Sequence, residues 1–397
     1  MNILRIVYDW PKPWQGLGPH PYEITASQLK QGHKVTLFCG LWEKSGGPVK
    51  LEGLEIHATQ REILPNTIFF TSSISLFFKY LKYRKTNNPD VIHSHGHFGI
   101  WIYAYRAFLK KHMPWSKELK VPLVVHFHNT AKGRWVKFEE EGKPIKPLSK
   151  HIGWPMSVLS DKLAVQAAAA CIFVSEETKN EAVQYYGANP SRCFVIETGV
   201  NTELFTTVGA EEKEKSRKDI GYDRFDKIIL NHGVLNERKN IHLLIDALAF
   251  LPEDYKLMLS GTSDPTYFEK INEQIKQKKL EHRILKTGYT PYPHVPIAYQ
   301  LSDIFVLPSS WEGLPKAVMQ GLACGIPCLV SGFRINEGIR GLYYLENTDP
   351  KTIADGILRI LNNPVEVDVG LIRAKFSWDS KIGALDKIYE FALKNYI

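Results

Sequence analysis

Short apolar runs punctuate the first half of the chain: ILRIVY (3–8), KVTLFC (34–39), DVIHSH (90–95), PLVVHFH (122–128) and ACIFVS (170–175). They are nearly continuous rather than alternating, the pattern of parallel strands covered on both faces. Between them the apolar positions switch to helical spacing, at about 22–31, 68–85, 98–111 and 154–168. A charged stretch poor in apolar residues, TTVGAEEKEKSRKDIGYDRFD (206–226), breaks the rhythm and reads as a linker or domain edge. Alternation resumes with KIILNHG (227–233), YKLMLSG (255–261), IFVLPSS (304–310) and PCLV (327–330), with helices near 239–250, 265–279, 314–324 and 351–362. Strand–helix alternation predicts α/β architecture with doubly wound, Rossmann-like sheets. The interruption predicts two of them, residues 1–205 and 206–378, with a helix within about 379–397 crossing back to the first.

Composition narrows the class without naming a chemistry. Of 397 residues, 44% are hydrophobic and 23% charged, ordinary for a globular chain long enough for two cores. No apolar run reaches the ~18 residues of a membrane-spanning helix. The first residues, MNILRIVYDWPKPW, read as a strand from residue 2 rather than a leader. Five scattered cysteines without a CxxC pair predict neither disulfides nor a zinc site, and fit a reducing cytoplasm. The net charge of +8 is uneven: residues 1–205 hold 25 Lys+Arg against 17 Asp+Glu, and the remainder 25 against 25. An anionic partner therefore belongs with the first half. No recognisable module points to nucleic acid.

In open α/β sheets ligands bind beyond the carboxyl ends of strands, where helices begin. Two segments sit at such places. In HGVLNERKNIHLLIDAL (232–248) a strand ends at Gly233, and Arg238 and Lys239 stand before an amphipathic helix. That is an anion-binding arrangement, or else two surface cations. In SSWEGLPKAVMQGLACGIP (309–327) Glu312 precedes a helix starting near Leu314–Pro315, with Gln320 inside it. Dipole capping accounts for Glu312. It does not account for Gly313, Gly321 and Gly325, which lower helix propensity and predict close backbone approach to something. His93, His95 and His97 alternate, as ligands on one strand face do, but no Cys or acidic residue accompanies them and no metal is expected.

EGLPKAVMQGLACGIP (312–327) resembles the E-x7-E region of retaining glycosyltransferases of family 4, which have the GT-B fold; it matches at Glu312, Gly313, Leu314, Ala323, Cys324, Gly325 and Pro327. QGHKVTLF (31–38), DVIHSH (90–95), VVHFHNT (124–130), FVSEETKNEAVQYYGA (173–188), TGVNTELF (198–205), GVLNERKN (233–240) and GYTPYPHVPIAYQLSDIFVLPSSWEG (288–313) resemble further segments of that family in the same order. The resemblance implies two Rossmann-like domains facing each other across a cleft. It implies transfer of a sugar from a nucleotide-sugar, commonly a UDP-sugar, to an acceptor hydroxyl with retention of configuration and without a metal or other cofactor.

Roles follow from the same resemblance. Lys239 faces the diphosphate, and backbone N–H groups around Gly313, Leu314, Pro315 and Lys316 aid the donor's phosphate and sugar. Glu312 contacts sugar hydroxyls, Gln320 holds the ribose, and the glycines let the donor approach. His128 faces the donor sugar from the first domain, and Gly16 and Gly18 belong to the Gly-rich first loop near acceptor and diphosphate. Departures are Val234 for the family's Arg, which Arg238 replaces from another direction, Gln320 for the second glutamate, and Thr198 and Asn201 in the "NGVD" segment.

The acceptor implied is a saccharide or a lipid-linked one, in synthesis of surface polysaccharide or glycoconjugate. A nucleotide-sugar 2-epimerase and a catalytically silent GT-B binding protein are the rival functions, the second favoured by Val234 and Gln320. NTIFFTSSISLFFKYLKYRK (66–85) places Phe70, Ile74, Phe77, Phe78 and Leu81 at helical spacing ahead of Lys79, Lys82, Arg84 and Lys85. Such a helix docks peripherally on the cytoplasmic face of an anionic membrane, or packs its aromatic face on the sheet.

Overall fold

The computed structural model describes residues 1–11, 14, 19–41, 47–60, 70–140, 147–223, 226–312, 314–335 and 338–395. Two compact units divide the chain: residues 1–197 with 381–397, and residues 198–380.

In the first unit the strands are β1 (Asn2–Asp9), β2 (Lys34–Leu41), β3 (Leu54–Gln60), β4 (Val91–His95), β5 (Leu123–Phe127), β6 (Ala170–Phe173) and β7 (Cys193–Val195). They form one parallel sheet in the order β3-β2-β1-β4-β5-β6-β7. β4, β5 and β6 are buried along their whole length, which is why their sequences read as unbroken apolar runs. Helices pack on the sheet through Leu76 and Tyr80, Ile102 and Tyr103, and Ala164 and Ala167, all buried beside Ile92, Val125 and Phe173. Glu118 anchors the outer helices, accepting from Arg106 Nη1 (2.6 Å), Arg84 Nε (3.2 Å) and the Tyr80 hydroxyl.

The second unit carries β8 (Lys227–His232), β9 (Tyr255–Ser260), β10 (Ile284–Gly288), β11 (Ile304–Pro308), β12 (Cys328–Ser331) and β13 (Leu342–Tyr344), parallel in the order β10-β9-β8-β11-β12-β13. Side chains alternate across the sheet, so β8 sends Ile229 into one core and Ile228 and Leu230 into the other. Both sheets reverse strand order in the middle, between β1 and β4 and between β8 and β11. Ligand sites in such sheets form at these switch points.

The stretch read as a linker or domain edge contains a helix, Ala210–Asp219, of the second unit. It has almost no apolar face and is held by charge instead. Lys213 Nζ (3.0 Å) and Arg217 Nη2 (2.7 Å) donate to Asp303, and Arg217 Nε donates to the Leu301 carbonyl (2.8 Å). The division between units falls at 197/198, against a sequence-based limit of 205. The last helix, Trp378–Lys394, begins with Trp378 against Gly199 of the second unit. From residue 381 it belongs to the first, where its Tyr389 is fully buried.

Candidate functional site

The second unit's switch point is assembled by two loops. β8 runs into Gly233, whose φ of +130° lies in a region side chains rarely adopt, and a Cβ there would collide with the ammonium of Lys239. Asn236 caps the 3-10 turn Glu237–Lys239, its side chain accepting from the Lys239 N–H (3.3 Å). Asn240, at φ +51°, donates to the Pro308 carbonyl (2.9 Å) at the end of β11, and the Ser310 N–H donates to the Arg238 carbonyl (2.8 Å). The loops after β8 and β11 are thereby stitched together, and the side chains they carry converge.

Arg238 Nη1 donates to Glu312 Oε1 (2.6 Å) and to the Trp311 carbonyl (2.5 Å), and its guanidinium stands 4.7 Å over the Trp311 ring. Glu312 Oε1 also accepts from the Ser309 hydroxyl (2.9 Å). Lys239 is 9% exposed. Burial pulls its ammonium down to about 8; Glu312 pushes it up and Arg238 pulls it further down. Nearby His232 is pulled to about 4, by burial and then by Lys239, so its imidazole is neutral at pH 7. The result is a half-enclosed patch holding two cations and one carboxylate at the end of a parallel sheet.

Leu314, Pro315 and Lys316 lead into the helix Lys316–Ala323, where Pro315 is the capping residue. Gln320 lies on its inner side, 8% exposed, and its Oε1 accepts from the Tyr299 hydroxyl (3.2 Å). Two of the glycines read as letting a ligand approach are packed on the protein itself. A Cβ on Gly321 would stand 2.9 Å from Cys328 Sγ, and one on Gly325, at φ +75°, 2.7 Å from Thr207 Cγ2. Close approach is real there, but the partner is the unit's own chain, buried Cys328 in one case and exposed Thr207 in the other. Gly16, Gly18 and Gly313 lie outside the described residues. Val234 is half exposed, and the guanidinium that meets Glu312 comes from Arg238, four residues on.

In the first unit His128 follows β5 and His95 ends β4, their Nε2 and Nδ1 atoms 3.3 Å apart. His20 meets His128 edge-on at 4.4 Å between centroids, and His93 and His126 stack behind. Burial, then neighbouring cations and imidazoles, hold His93 and His95 well below the ordinary histidine range. The alternation read from 93, 95 and 97 ends at His95. Gly96, at φ +64°, turns the chain out of the strand, and His97 instead places Nδ1 3.1 Å from Asp161. A cavity of about 440 Å³ opens here, lined by Tyr8, Asp9, His95, His128, Arg134 and Asp161 among others. His20 comes from a helix, and only chain-distant neighbours reveal it, whereas His126 alternates with His128 in VVHFH, a local pattern the sequence does carry.

Two family models match the chain: Glycosyltransferase Family 4 over residues 14–204, and Glycosyl transferases group 1 over residues 212–377. An uncharacterised glycosyltransferase of Methanocaldococcus jannaschii is 26% identical over 416 residues, spanning 99% of each chain. A D-inositol 3-phosphate glycosyltransferase of Thermobispora bispora is 24% identical over 328 residues, 77% of this chain and 71% of its own. Among solved structures, Anabaena HepE in complex with UDP and glucose superposes with a TM-score of 0.73 at 16% identity, over 98% of this chain and 99% of its own. The sucrose-phosphate synthase of Thermosynechococcus elongatus does so at 0.74 and 16%, over 98% of both. These likenesses, with two parallel doubly wound sheets, give the fold as GT-B. The two models take in residues 14 to 377 except 205–211, and the chain belongs to the family 4, group 1 glycosyltransferases.

Proposed function

We propose that the protein transfers a sugar from a nucleotide-sugar donor, a UDP-sugar first among candidates, to a saccharide or lipid-linked acceptor, with retention of anomeric configuration. The observation that carries this reading is the buried Lys239 beside the Arg238–Glu312 pair at the β8/β11 switch point. A diphosphate leaving group gathers negative charge as the glycosidic bond breaks, and fixed cations in a partly dry site stabilise that charge most. Lys239 and Arg238 supply it here, so the transfer step draws on no metal or other cofactor at the donor. Glu312 holds sugar hydroxyls, and the N–H groups at Leu314 and Lys316 assist the phosphate. Gln320 approaches the ribose, and His128 is the catalytic candidate of the first unit. UDP, bound by HepE, is the nucleotide to try first.

The test is nucleotide release over a panel of nucleotide sugars, with and without acceptors, a phosphorylated polyol among them. Release that rises with acceptor as an α- or β-glycoside of retained configuration forms supports the reading. Isomerised sugar without acceptor would make the protein an epimerase, and neither product would make it a binder.

The acceptor's place bears on localisation, which we take as the cytoplasmic side of an anionic membrane. In the helix Phe70–Arg84, Leu76 and Tyr80 are buried and Phe77 and Leu81 pack on the core, so most of the aromatic face serves the fold. Ile74 (39% exposed) and Phe78 (63%) remain outside, beside Lys79 and Lys82. Arg84 is taken by Glu118 and is not a headgroup ligand. Each basic residue near such a surface contributes about 1 kcal/mol, so Lys82→Glu with Lys85→Glu should weaken co-sedimentation with anionic vesicles about tenfold or more. Wild-type protein left in the supernatant at low salt would sink this part of the reading.

A further inference from the structure

We infer that the first unit holds a binding site for one transition-metal cation of the zinc class, with His20, His95 and His128 as its ligands. The three come from separate elements: the first turn of the helix Pro19–Lys30, the last residue of β4, and the residue after β5. One ligand nitrogen from each lies within 4.8 Å of the others. His95 Nδ1 and His128 Nε2 are 3.3 Å apart. Two imidazole nitrogens on a tetrahedral zinc, each at about 2.0–2.1 Å, are separated by about 3.4 Å. That edge of the polyhedron is therefore already formed, and the His20 ring has only to move inward to close the face.

The surroundings favour a cation more than a cluster of five imidazoles first suggests. Neutral imidazole is the ligating form, and the three rings come from a helix and two strand ends that bring their nitrogens together. His93 and His126 stack on the triad and hold its rings in place. A second grouping, His93 with His95 and His126, is geometrically close as well. It is the weaker site, because the Arg5 guanidinium lies 3.3 Å from His93 Nδ1 and the Tyr389 hydroxyl 2.6 Å from the same atom. A cation there would have to displace the hydroxyl and sit against a fixed positive charge. The triad lies further along the strands, and its outer side opens on the 440 Å³ cavity, which His95 and His128 both line. Three protein nitrogens leave one position of a tetrahedral zinc open towards that cavity. The open position would take water, or a hydroxyl of whatever the cavity binds, with Asp9 in the same wall.

Metal binding is read without turnover, so this inference stands or falls apart from the transferase reading. The full chain, freed of metal by chelator, is titrated with Co²⁺. One equivalent should give the intense visible absorption of a tetrahedral nitrogen site, and Zn²⁺ should bleach it one for one. His20→Gln should weaken binding at least tenfold, while His282→Ala, on the exposed surface, should change nothing. X-ray absorption on the wild-type zinc form covers the case in which the buried variant fails to fold, and should count three imidazoles. Absence of the cobalt spectrum, binding undiminished in a folded His20→Gln protein, or a count of one imidazole would each overturn the site. Hydrogen bonding between His95 and His128 would then be the whole reason for their approach.

Discussion

At the switch point of the first unit, between β1 and β4, the strand ends present stacked imidazoles, of which burial holds His93 and His95 below the ordinary histidine range. At the corresponding point of the second, between β8 and β11, they present Lys239, Arg238 and Glu312 on two loops stitched by backbone hydrogen bonds. The sheets share a topology, yet their functional ends are made of opposite materials. Neutral rings cost little to bury and can be assembled from remote strands. Charges must be paired and held near the rim, which confines them to short, well-capped loops. The first end therefore suits polar neutral groups such as hydroxyls, or a soft cation, and the second suits a diphosphate.

The contrast is broken most severely at Glu312. Its carboxylate holds Arg238 and takes the Ser309 hydroxyl, so Glu312→Ala removes a sugar contact and frees a guanidinium at once. Loss of one such preorganised contact costs about 100-fold or more in kcat. Nucleotide affinity, measured by calorimetry with UDP, should fall far less, since Arg238 remains available to phosphate. Unchanged kcat would return Glu312 to a helix-capping role. Next comes Lys239→Ala. A charge-assisted contact is worth about 1.5–3 kcal/mol, so kcat/KM for the donor should drop roughly 10- to 150-fold, through both constants. His128→Ala, at the neutral end, should lower kcat and leave UDP affinity unchanged. If UDP affinity falls instead, the division of labour between the two ends is wrong.

How far the sequence displays this arrangement depends on what each residue's signal is. Fully buried central strands announce themselves as apolar runs. β3 (LEIHATQ) and β13 (LYY) lie at sheet edges, half exposed or short, and carry no such run. The helix Ala210–Asp219 buries only Arg217, so apolar periodicity has nothing to find there. Lys239, Arg238 and Glu312 were legible because strand end, loop and helix start are contiguous in sequence. His20 and the Tyr299 partner of Gln320 were not, since each reaches its neighbour from an element distant in the chain.

A smaller effect separates the two ends by pH. Lys239 is pulled to about 8 from an ordinary value of 10.5, chiefly by burial. A depressed lysine is charged below its folded value and loses that charge as pH rises through it. Donor KM should accordingly be flat near pH 7 and climb above pH 8, approaching tenfold per unit at most. Lys239→Arg keeps its charge and should flatten the profile while costing activity throughout. A profile unchanged by that substitution would move the titration to another group.

The smallest expected change is at Gln320, where both readings of the residue act together. The family resemblance puts a glutamate there, to accept from ribose hydroxyls more strongly than an amide can. Gln320 also has a structural role, because at 8% exposure it accepts from the hydroxyl of Tyr299. Burial raises the Tyr299 phenol well above its ordinary range, so it remains a firm donor at any working pH. In Gln320→Glu a carboxylate oxygen would keep that hydrogen bond, strengthened by charge, and the other would meet the ribose. Against this stands the cost of burying a charge at a position only 8% exposed. The two terms nearly offset, so donor KM should improve by about threefold at most, with a slightly lower melting temperature. A tenfold gain would mean that glutamine costs this enzyme donor affinity. A rise in KM would mean that residue 320 is chiefly a core residue of the second unit, and that the ribose is held by other groups.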